Sequence, residues 1–557
     1  MNSKSILVIF GKESPEPGSF DKVLSGKELE DLMGQGSVQE AYQLFCQLPK
    51  ITDITYKGYE LWWIHHDDIY YQFCLPYTQL RGLLDYLKDF KEVHLYQPPN
   101  SELFRYFLEA HGCSCFIRKK KRFLPPFGLL LQLFLSFIFL FWLKAARPKL
   151  LLETSDRFSQ LSDFDFRYEF IYRELREKKI HFAEFIRSLE PWPVLLKHAW
   201  RRKRPVIYSS AIVDSMHFLA GLFGKRKFSA DGGSEKRFWL SVSAHYLSNI
   251  RGTIWSIEAM KLIWQWIGAK SAIVPTACNR NFHEVLGCKL AGIKTTGIMH
   301  GASTKYYLIS DFMPGFNGKK MLSVDQYGLW SDWWKSYYIK NSNAYKPEQL
   351  YVSGPMRPLA KEIGEVRPLQ DWRGLTSPIS SPRSSPRVLF ISEGLADPRE
   401  VIHYLSALLG EKDLQFFIKF RPHKDAFEIW LKDNQPGVYK KIKEETKIFR
   451  KTMEEAVSQS DVVVGSHSTA VLESLLQLKP FVFFRTKKWG DYFGIKSFEG
   501  QNCLFAENPI ELINCIKNSI EIPEEYLKQL QGNFFGDPYK NGSKWAVEQA
   551  IKNYESS

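Results

Sequence analysis

The stretch Asp461-Val-Val-Val-Gly465-Ser466-His467-Ser468-Thr469-Ala470 indicates the fold class of the chain. Its apolar residues are typical of a buried β-strand, the glycine ends that strand, and a helix is predicted over Ala470–Leu478. Strand, turn and helix in this order form the unit of a parallel α/β sheet, which binds ligands at the carboxyl ends of its strands. The first N–H groups of a helix attract anions, so we predict a phosphate site here, with Ser466, Ser468 and Thr469 as further donors.

Glu473 lies four residues after Thr469, on the same face of the predicted helix. Its carboxylate is suited to accept hydrogen bonds from both hydroxyl groups of a ribose. A helix that is simply capped by hydroxyl side chains and begins with an acidic turn is the alternative explanation of this pattern.

The same alternation of strands and helices extends in both directions from this stretch. Downstream of residue 387, strands are predicted at Val388–Ser392, Gln415–Phe420 and Phe481–Phe484. Upstream they are predicted at Ile6–Phe10, Glu92–Tyr96, Cys113–Ile117, Ser271–Pro275, Lys294–Met299, Gln326–Trp330 and Gln349–Val352. Residues 375–387, rich in Ser and Pro, have the composition of a linker. We therefore predict an α/β protein of two Rossmann-like domains, 1–374 and 388–557, that face each other across a cleft.

The composition agrees with a large folded protein. The chain has 557 residues, 44% apolar and 15% aromatic, and a formal net charge of +14. These values exclude a disordered chain, a coiled coil, a collagen-like fibre and a small disulfide-rich module. Eight cysteines are few for this length, which predicts reduced thiols rather than a disulfide framework.

Two basic clusters bracket an apolar segment. Residues 118–122 read Arg-Lys-Lys-Lys-Arg, residues 201–204 read Arg-Arg-Lys-Arg, and only two of the seventeen residues in Phe127–Leu143 are polar. We interpret 118–204 as a helical insert in the N-terminal domain, with a second, charged helix over Phe166–Leu189. A seventeen-residue helix is about 26 Å long, near the lower limit for crossing a bilayer.

The apolar segment has two explanations, a buried core helix or a helix that enters the membrane. Polybasic flanks favour an anionic membrane surface. A full crossing would separate strands that we expect to share one sheet, so an in-plane or re-entrant helix is favoured. The first ten residues lack the apolar run of a secretory signal, and we expect a peripheral or monotopic protein at the cytoplasmic face of the inner or plasma membrane.

Polar residues also follow two other predicted strands. In Lys419-Phe-Arg421-Pro-His423-Lys424-Asp425, Arg421 can bind a phosphate bidentately and His423 can donate a proton. Solvated charges at an exposed strand end are the alternative.

The second of these segments is Met299-His300-Gly301-Ala-Ser-Thr-Lys305. His300 is a candidate general base, and Gly301 and Lys305 are candidate acceptor-side residues. Asp68, in the run His65-His66-Asp67-Asp68, is the other candidate catalytic group outside the C-terminal domain.

Taken in chain order, these motifs resemble a bacterial enzyme family. His300-Gly301, Gly354-Pro-Met-Arg357, Arg421-Pro-His423, Ser466-His-Ser-Thr469, Glu473 and Lys479-Pro480 are similar to motifs of the GT-B-fold glycosyltransferases of capsule and surface-polysaccharide assembly. That group includes polysialyl- and Kdo-transferases and the related glycerophosphotransferases of teichoic acid synthesis. Tyr56-Lys-Gly-Tyr-Glu-Leu-Trp-Trp63 resembles a Gly…Leu-Trp segment of the same proteins.

The resemblance implies roles for several residues. His423 corresponds to the His that contacts the nucleotide phosphate, Ser468 and Thr469 to the Ser-Ser/Thr motif that holds the nucleotide, and His300 to a proposed base. Arg357 is expected on the donor side. Lys424 stands where the family has proline, so the local turn is expected to differ.

The function implied is a membrane-associated glycosyltransferase that moves a sugar from a nucleotide-sugar donor to a surface glycan of capsule or lipopolysaccharide type, and a CMP-linked sugar is one candidate donor. The acceptor is expected to be a glycan or a lipid-linked one. No metal ion or cofactor is expected, because Arg, His and the helix dipole can stabilise the leaving group and no Asp-x-Asp pattern follows a predicted strand.

Three other functions remain open at this point. They are a CDP-polyol phosphotransferase of the teichoic-acid type, a nucleotide-sugar 2-epimerase and a non-catalytic membrane scaffold. The basic clusters flank an apolar helix and lack interleaved aromatic residues, which argues against a nucleic-acid partner.

Overall fold

A computed structural model describes residues 4–10, 20–34, 36–118, 125–155, 165–188, 190, 192–202, 204–223, 234–274, 282–306, 309–359, 385–421, 425–450 and 452–556. Within these ranges, three parallel β-sheets of four, seven and six strands form the framework. The α/β class with parallel sheets is confirmed. The N-terminal half contains two of the sheets rather than one, and residues 375–384 of the expected linker lie outside the described residues.

The N-terminal sheet has the strand order β2-β1-β5-β6, and a short hairpin, β3–β4, stands apart from it. Apolar residues of β1 and β5 are fully buried between the helices on the two faces. The strands are β1 (Ser5–Ile9), β2 (Lys22–Leu24), β3 (Thr55–Tyr56), β4 (Tyr59–Glu60), β5 (Glu92–Tyr96) and β6 (Ser114–Arg118), and the helices are α1 (Gly26–Leu32), α2 (Val38–Gln47), α3 (Trp62–Ile69), α4 (Leu75–Leu87) and α5 (Ser101–Ala110).

The middle sheet has the order β13-β12-β11-β10-β7-β8-β9 and is parallel throughout. Its strands are β7 (Leu150–Ser155), β8 (Phe182–Arg187), β9 (Val206–Ile207), β10 (Ser271–Val274), β11 (Lys294–Ile298), β12 (Gln326–Leu329) and β13 (Leu350–Val352). Its helices are α6 (Pro125–Ala146), α7 (Glu169–Glu177), α8 (Trp192–Arg202), α9 (Ser209–Leu222), α10 (Ser234–Ile267), α11 (Phe282–Leu290) and α12 (Asp332–Asn341).

Two of these strands overturn the prediction of a wholly helical insert over 118–204. β7 and β8 lie inside that range, and β8 occupies part of the helix predicted over Phe166–Leu189. The charged residues of this region suggested a solvated helix, but Glu184 is buried in β8, where Arg202 and Arg204 neutralise it. Those ion pairs join three separate elements, which sequence spacing does not reveal.

The C-terminal sheet has the order β16-β15-β14-β17-β18-β19. Its strands are β14 (Arg387–Ile391), β15 (Gln415–Lys419), β16 (Lys447–Phe449), β17 (Val462–Gly465), β18 (Phe481–Phe484) and β19 (Phe505–Ala506). The helices of this part are α13 (Pro398–Gly410), α14 (Ala426–Asn434), α15 (Pro436–Glu445), α16 (Met453–Ser458), α17 (Thr469–Leu472), α18 (Pro509–Ser519), α19 (Glu524–Phe535) and α20 (Gly542–Glu555). The last helix returns to the middle sheet, where its apolar side chains pack on β7 and β10.

The helix α6 contains a stretch, Phe127–Ala146, that is long and apolar enough to cross a membrane by length and composition. The expectation that the strands on its two sides share one sheet is wrong, because β6 and β7 belong to different sheets. The two sides are nevertheless joined directly. The Trp239 indole donates to Pro49 O at 3.1 Å, and Val38 N donates to Lys488 O at 3.0 Å. These contacts join residues before and after α6 in one folded unit.

One cysteine pair departs from the prediction of reduced thiols. Cys503 and Cys515 form a disulfide with a Cα–Cα distance of 5.0 Å. The turn before β19 meets α18 at this point, and that contact cannot be read from the spacing of the two cysteines. Glu511 lies close to the two sulfur atoms, but cysteines joined in a disulfide offer no thiolate to a metal ion.

Candidate functional site

The carboxyl ends of β14, β15 and β17 lie side by side in the C-terminal sheet and bring three polar groups together. Ser466 N donates to Glu393 Oε1 at 2.9 Å. The Arg421 guanidinium lies over Gly394, where a Cβ atom would meet its Cζ at 3.4 Å. The glycine therefore gives the guanidinium room beside Glu393, and the three strand ends form one polar centre.

Glu393 accepts hydrogen bonds from backbone donors of the turn that precedes α17. Its carboxylate is 1% exposed and accepts from Ser466 N and, more weakly, from His467 N at 3.5 Å. These two turn N–H groups are therefore not open to a phosphate, and the site on the first N–H groups of the helix itself stays a prediction. Glu393 is not among the predicted site residues, although an acidic residue just past a predicted strand and followed by glycine obeys the same rule that singled out the other segments.

Burial raises the pKa of Glu393 to about 7, although the backbone N–H groups and Arg421 act in the opposite direction. The folded protein therefore favours the neutral acid more than the unfolded chain does. The difference from the ordinary value of 4.5 corresponds to about 3 kcal/mol of stability that is present at low pH and lost as the pH rises through 7.

A Glu393→Gln variant should reveal this loss directly. Raising the pH from about 5 to about 8 is expected to lower the free energy of unfolding of the wild type relative to the variant by about 3 kcal/mol, because glutamine does not titrate. Urea unfolding at several pH values measures the difference. A constant difference between the two proteins across this range would contradict the assignment.

His467 stabilises the same turn from its other side. Its ring stacks on the Trp489 indole at a centroid distance of 4.0 Å, and its Nδ1 lies 2.7 Å from Ser466 Oγ. Burial, with the nearby Arg421 and Lys488 charges, lowers the pKa of His467 to about 3. The imidazole is neutral at physiological pH, so it positions the turn and adds no charge to it.

The turn that follows β17 contacts the loop that follows β11 in the middle sheet. Thr469 Oγ1 donates to Ala302 O at 3.3 Å. A Cβ atom added to Gly301 would lie 3.7 Å from the same threonine oxygen, Oγ1. Nearby, Thr304 N donates to the Tyr492 hydroxyl at 3.2 Å. The carboxyl ends of the two larger sheets therefore face each other, and two of the three predicted segments meet between them.

Ser468 has a structural role in this turn. Its hydroxyl accepts from Ala470 N at 3.3 Å and caps α17. This is the capping explanation that the sequence left open. Thr469 follows it directly, and its hydroxyl donates to the loop of the middle sheet instead. The two adjacent hydroxyl groups therefore have different roles.

Glu473 lies near two basic residues from other elements. Burial raises the pKa of its carboxyl, while the charges of Arg357 and Lys419 act to lower it. Lys419 ends β15 and is 8% exposed, whereas Arg357 follows β13 of the middle sheet and is exposed. The sequence placed Arg357 and Glu473 in one site, and the structure brings their charges within electrostatic reach of each other.

Of the remaining predicted residues, two lie on the loop that contacts Thr469, one lies on α3 and one lies outside the described residues. His300 is partly exposed at the start of the loop that contacts Thr469. The Lys305 ammonium donates to Asn341 Oδ1 at 3.3 Å. Asp68 is exposed on α3 and accepts from Gln72 at 3.4 Å. The same helix contacts the segment between β11 and β12, where His66 Nε2 lies 3.3 Å from Ile309 O. His423 lies in the segment 422–424, outside the described residues.

Comparisons with known proteins give similarities of fold. No protein-family model matches the chain, and no curated protein sequence matches it. The UDP-GlcNAc 2-epimerase of Neisseria meningitidis, bound to UDP-GlcNAc, is 13% identical with a TM-score of 0.41, over 72% of this chain and 99% of its own. MurG of Acinetobacter baumannii is 10% identical with a TM-score of 0.40, over 73% of this chain and 100% of its own. A UDP-glucosyltransferase of Polygonum tinctorium is 12% identical with a TM-score of 0.42, over 74% of this chain and 99% of its own. At these values the similarity carries no information on the substrate.

Proposed function

We propose that the chain is a membrane-associated glycosyltransferase that moves a sugar from a nucleotide-sugar donor to a surface glycan of capsule or lipopolysaccharide type. The observation that carries the proposal is the contact between Thr469 Oγ1 and Ala302 O. It joins the carboxyl end of a strand in one parallel sheet to that of a strand in the other. Two sheets that face each other in this way form a cleft able to hold the two substrates of a transfer.

Arg421 and Thr469 are the donor-side groups in this proposal. The guanidinium over Gly394 offers N–H donors in the geometry that a phosphate accepts bidentately. Negative charge develops on the diphosphate when its bond to the anomeric carbon breaks, and a fixed guanidinium stabilises that charge. Glu473 is assigned to the ribose hydroxyls, and Glu393 acts as a positioning residue that holds the turn of Ser466.

The acceptor side is assigned to the loop of the middle sheet. His300 begins the loop that contacts Thr469, so its imidazole is proposed to take the proton of the acceptor hydroxyl as that oxygen attacks the anomeric carbon. Gly301 leaves space above Thr469 Oγ1, and Lys305 continues the same loop. The donor and the base would then lie on opposite walls of the cleft.

Membrane association is proposed from an apolar surface that we call the platform. Of the 25 exposed large apolar side chains among the described residues, 16 lie on α6, α8 and α10 or at the end of α9. Monomeric soluble proteins rarely expose an apolar patch of this extent. The members are Phe127, Leu130, Phe134, Phe137, Ile138, Phe141, Trp142, Trp192, Leu196, Trp200, Phe218, Leu219, Leu222, Phe223, Leu262 and Trp266.

Nucleotide binding tests the enzyme assignment. In a thermal-shift panel of CMP, CDP, UDP and GDP, one nucleotide is expected to raise the Tm, since a ligand at 100 times its Kd stabilises the folded state by about 2.7 kcal/mol. Thr469→Val should lose at least half of that shift because it removes the hydroxyl between the sheets.

Thr446→Val makes the same change just before the amino end of β16 and serves as the matched control. It is expected to respond like the wild type. A wild-type protein whose Tm none of the four nucleotides moves would favour a non-catalytic scaffold.

A further inference from the structure

A cavity of about 350 Å³ lies at the amino ends of β8 and β9, at the opposite edge of the middle sheet from the cleft. Three of its lining residues are arginine or lysine, and a histidine and a tyrosine add two further polar side chains. None of these eight lining residues is acidic. They are Tyr172, Leu175, Arg176, Lys179, Ile180, His181, Phe182 and Arg204.

The Arg204 guanidinium is fixed in place at the wall of this cavity. It donates to the buried Glu184 carboxylate and lies over the Tyr172 ring, 5.3 Å from its centroid. Arg202 contacts the same carboxylate at 3.2 Å. Burial acts to raise the pKa of Glu184, but the two guanidinium groups together hold it below its ordinary value, so one negative charge faces two positive charges. The wall therefore keeps a net positive charge.

The cavity lies next to the platform. Arg204 comes two residues after the end of α8 and four after Trp200, whose side chain is 88% exposed. The neighbouring β9 is covered by α6, because Tyr208 N donates to Ser136 Oγ at 2.9 Å. If the platform is inserted in a membrane, an anionic group at the membrane surface would thus lie beside the positively charged wall of the cavity.

We propose that this cavity binds a phosphate ester. Arg176, Lys179 and Arg204 supply the charge-assisted donors that a phosphate prefers. The volume exceeds that of a phosphate alone, and the apolar side chains of Leu175 and Phe182 can pack against the carbon atoms of the esterified group. Two sources share this chemistry, the headgroup of an anionic lipid in the leaflet and a free phosphate ester such as a glycerol phosphate. The proposal does not depend on glycosyl transfer at the cleft.

The test compares two double variants with the same change in charge. R176E/K179E reverses two charges that line the cavity, and R173E/K178E reverses two on the same helix and its end that do not line it. Both proteins are titrated with sn-glycerol 3-phosphate by calorimetry. They are also mixed at 0.15 M salt with vesicles of phosphatidylcholine alone or with phosphatidylglycerol.

We expect R176E/K179E to lose at least tenfold in affinity for sn-glycerol 3-phosphate or for the phosphatidylglycerol vesicles. This loss should exceed any loss of affinity in R173E/K178E. A loss confined to the phosphatidylglycerol vesicles identifies the lipid headgroup as the source, and a loss confined to sn-glycerol 3-phosphate identifies the soluble ester. Equal losses in the two double variants, or no loss in either, would overturn the proposal. Thermal unfolding of both variants confirms that they are folded.

Discussion

Replacing Arg421 by alanine is expected to lower kcat/KM for glycosyl transfer by about 100- to 1000-fold, the cost typical of removing one fixed donor from developing negative charge. The guanidinium lies over Gly394 at the carboxyl end of β14, where a donor diphosphate would be held. Its loss should also weaken nucleotide binding. Initial rates of transfer from sugars linked to the nucleotide that the thermal-shift panel identifies measure the effect.

Arg387→Ala is the matched control for this change. Arg387 lies at the amino end of β14, where it pairs with Asp461 at 2.6 Å. The substitution therefore removes the same charge as Arg421→Ala, but at the amino end of β14 instead of its carboxyl end. We expect kcat/KM within about threefold of the wild type, with a lower Tm from the lost ion pair. Equal activity of Arg421→Ala and the wild type would remove Arg421 from the donor site.

The platform carries the second large effect. The triple variant F134S/F137S/F141S replaces three phenylalanines that are 57–62% exposed on one face of α6. Each loses about 1 kcal/mol or more of transfer free energy, so partition into phosphatidylglycerol vesicles is expected to fall by about 100- to 1000-fold. Co-sedimentation with vesicles measures this partition.

The control replaces three exposed isoleucines elsewhere, as I339S/I429S/I510S. Their exposure is 48, 46 and 78%, and none belongs to the platform. This variant is expected to sediment with vesicles like the wild type. If both triple variants bind equally well, α6 contributes nothing to membrane binding and the platform requires another partner.

Much of the framework can be predicted from the sequence because local pattern and burial agree in it. Glu92–Tyr96 and Phe481–Phe484 are strands with the predicted bounds. These segments are short apolar or amphipathic runs bounded by clear turn residues, so their local preference needs no tertiary partner. The rule that ligands gather at strand ends likewise selected the segments of Thr469 and His300, whose loops are in contact, and Arg421, which lies over Gly394.

The residues that escaped prediction are defined by distant partners. Glu393 was missed because its role depends on the N–H groups of Ser466 and His467, more than seventy residues away. The strand that contains Glu184 was predicted as a helix, because the sequence does not distinguish a buried carboxylate from a surface charge until its arginine partners are known. Buried ion pairs and carboxylate-filled turns are tertiary features, and a single sequence does not encode them in its spacing.

Hydrogen–deuterium exchange with and without the nucleotide that raises the Tm tests the central claim most directly. The claim is that one ligand lies between the carboxyl ends of the middle and C-terminal sheets. We expect slower exchange of the backbone amides in both 299–304 and 466–470 at the same nucleotide concentration, with little change in α7 or α15. Protection confined to one of the two segments, or found only outside them, would contradict a shared cleft.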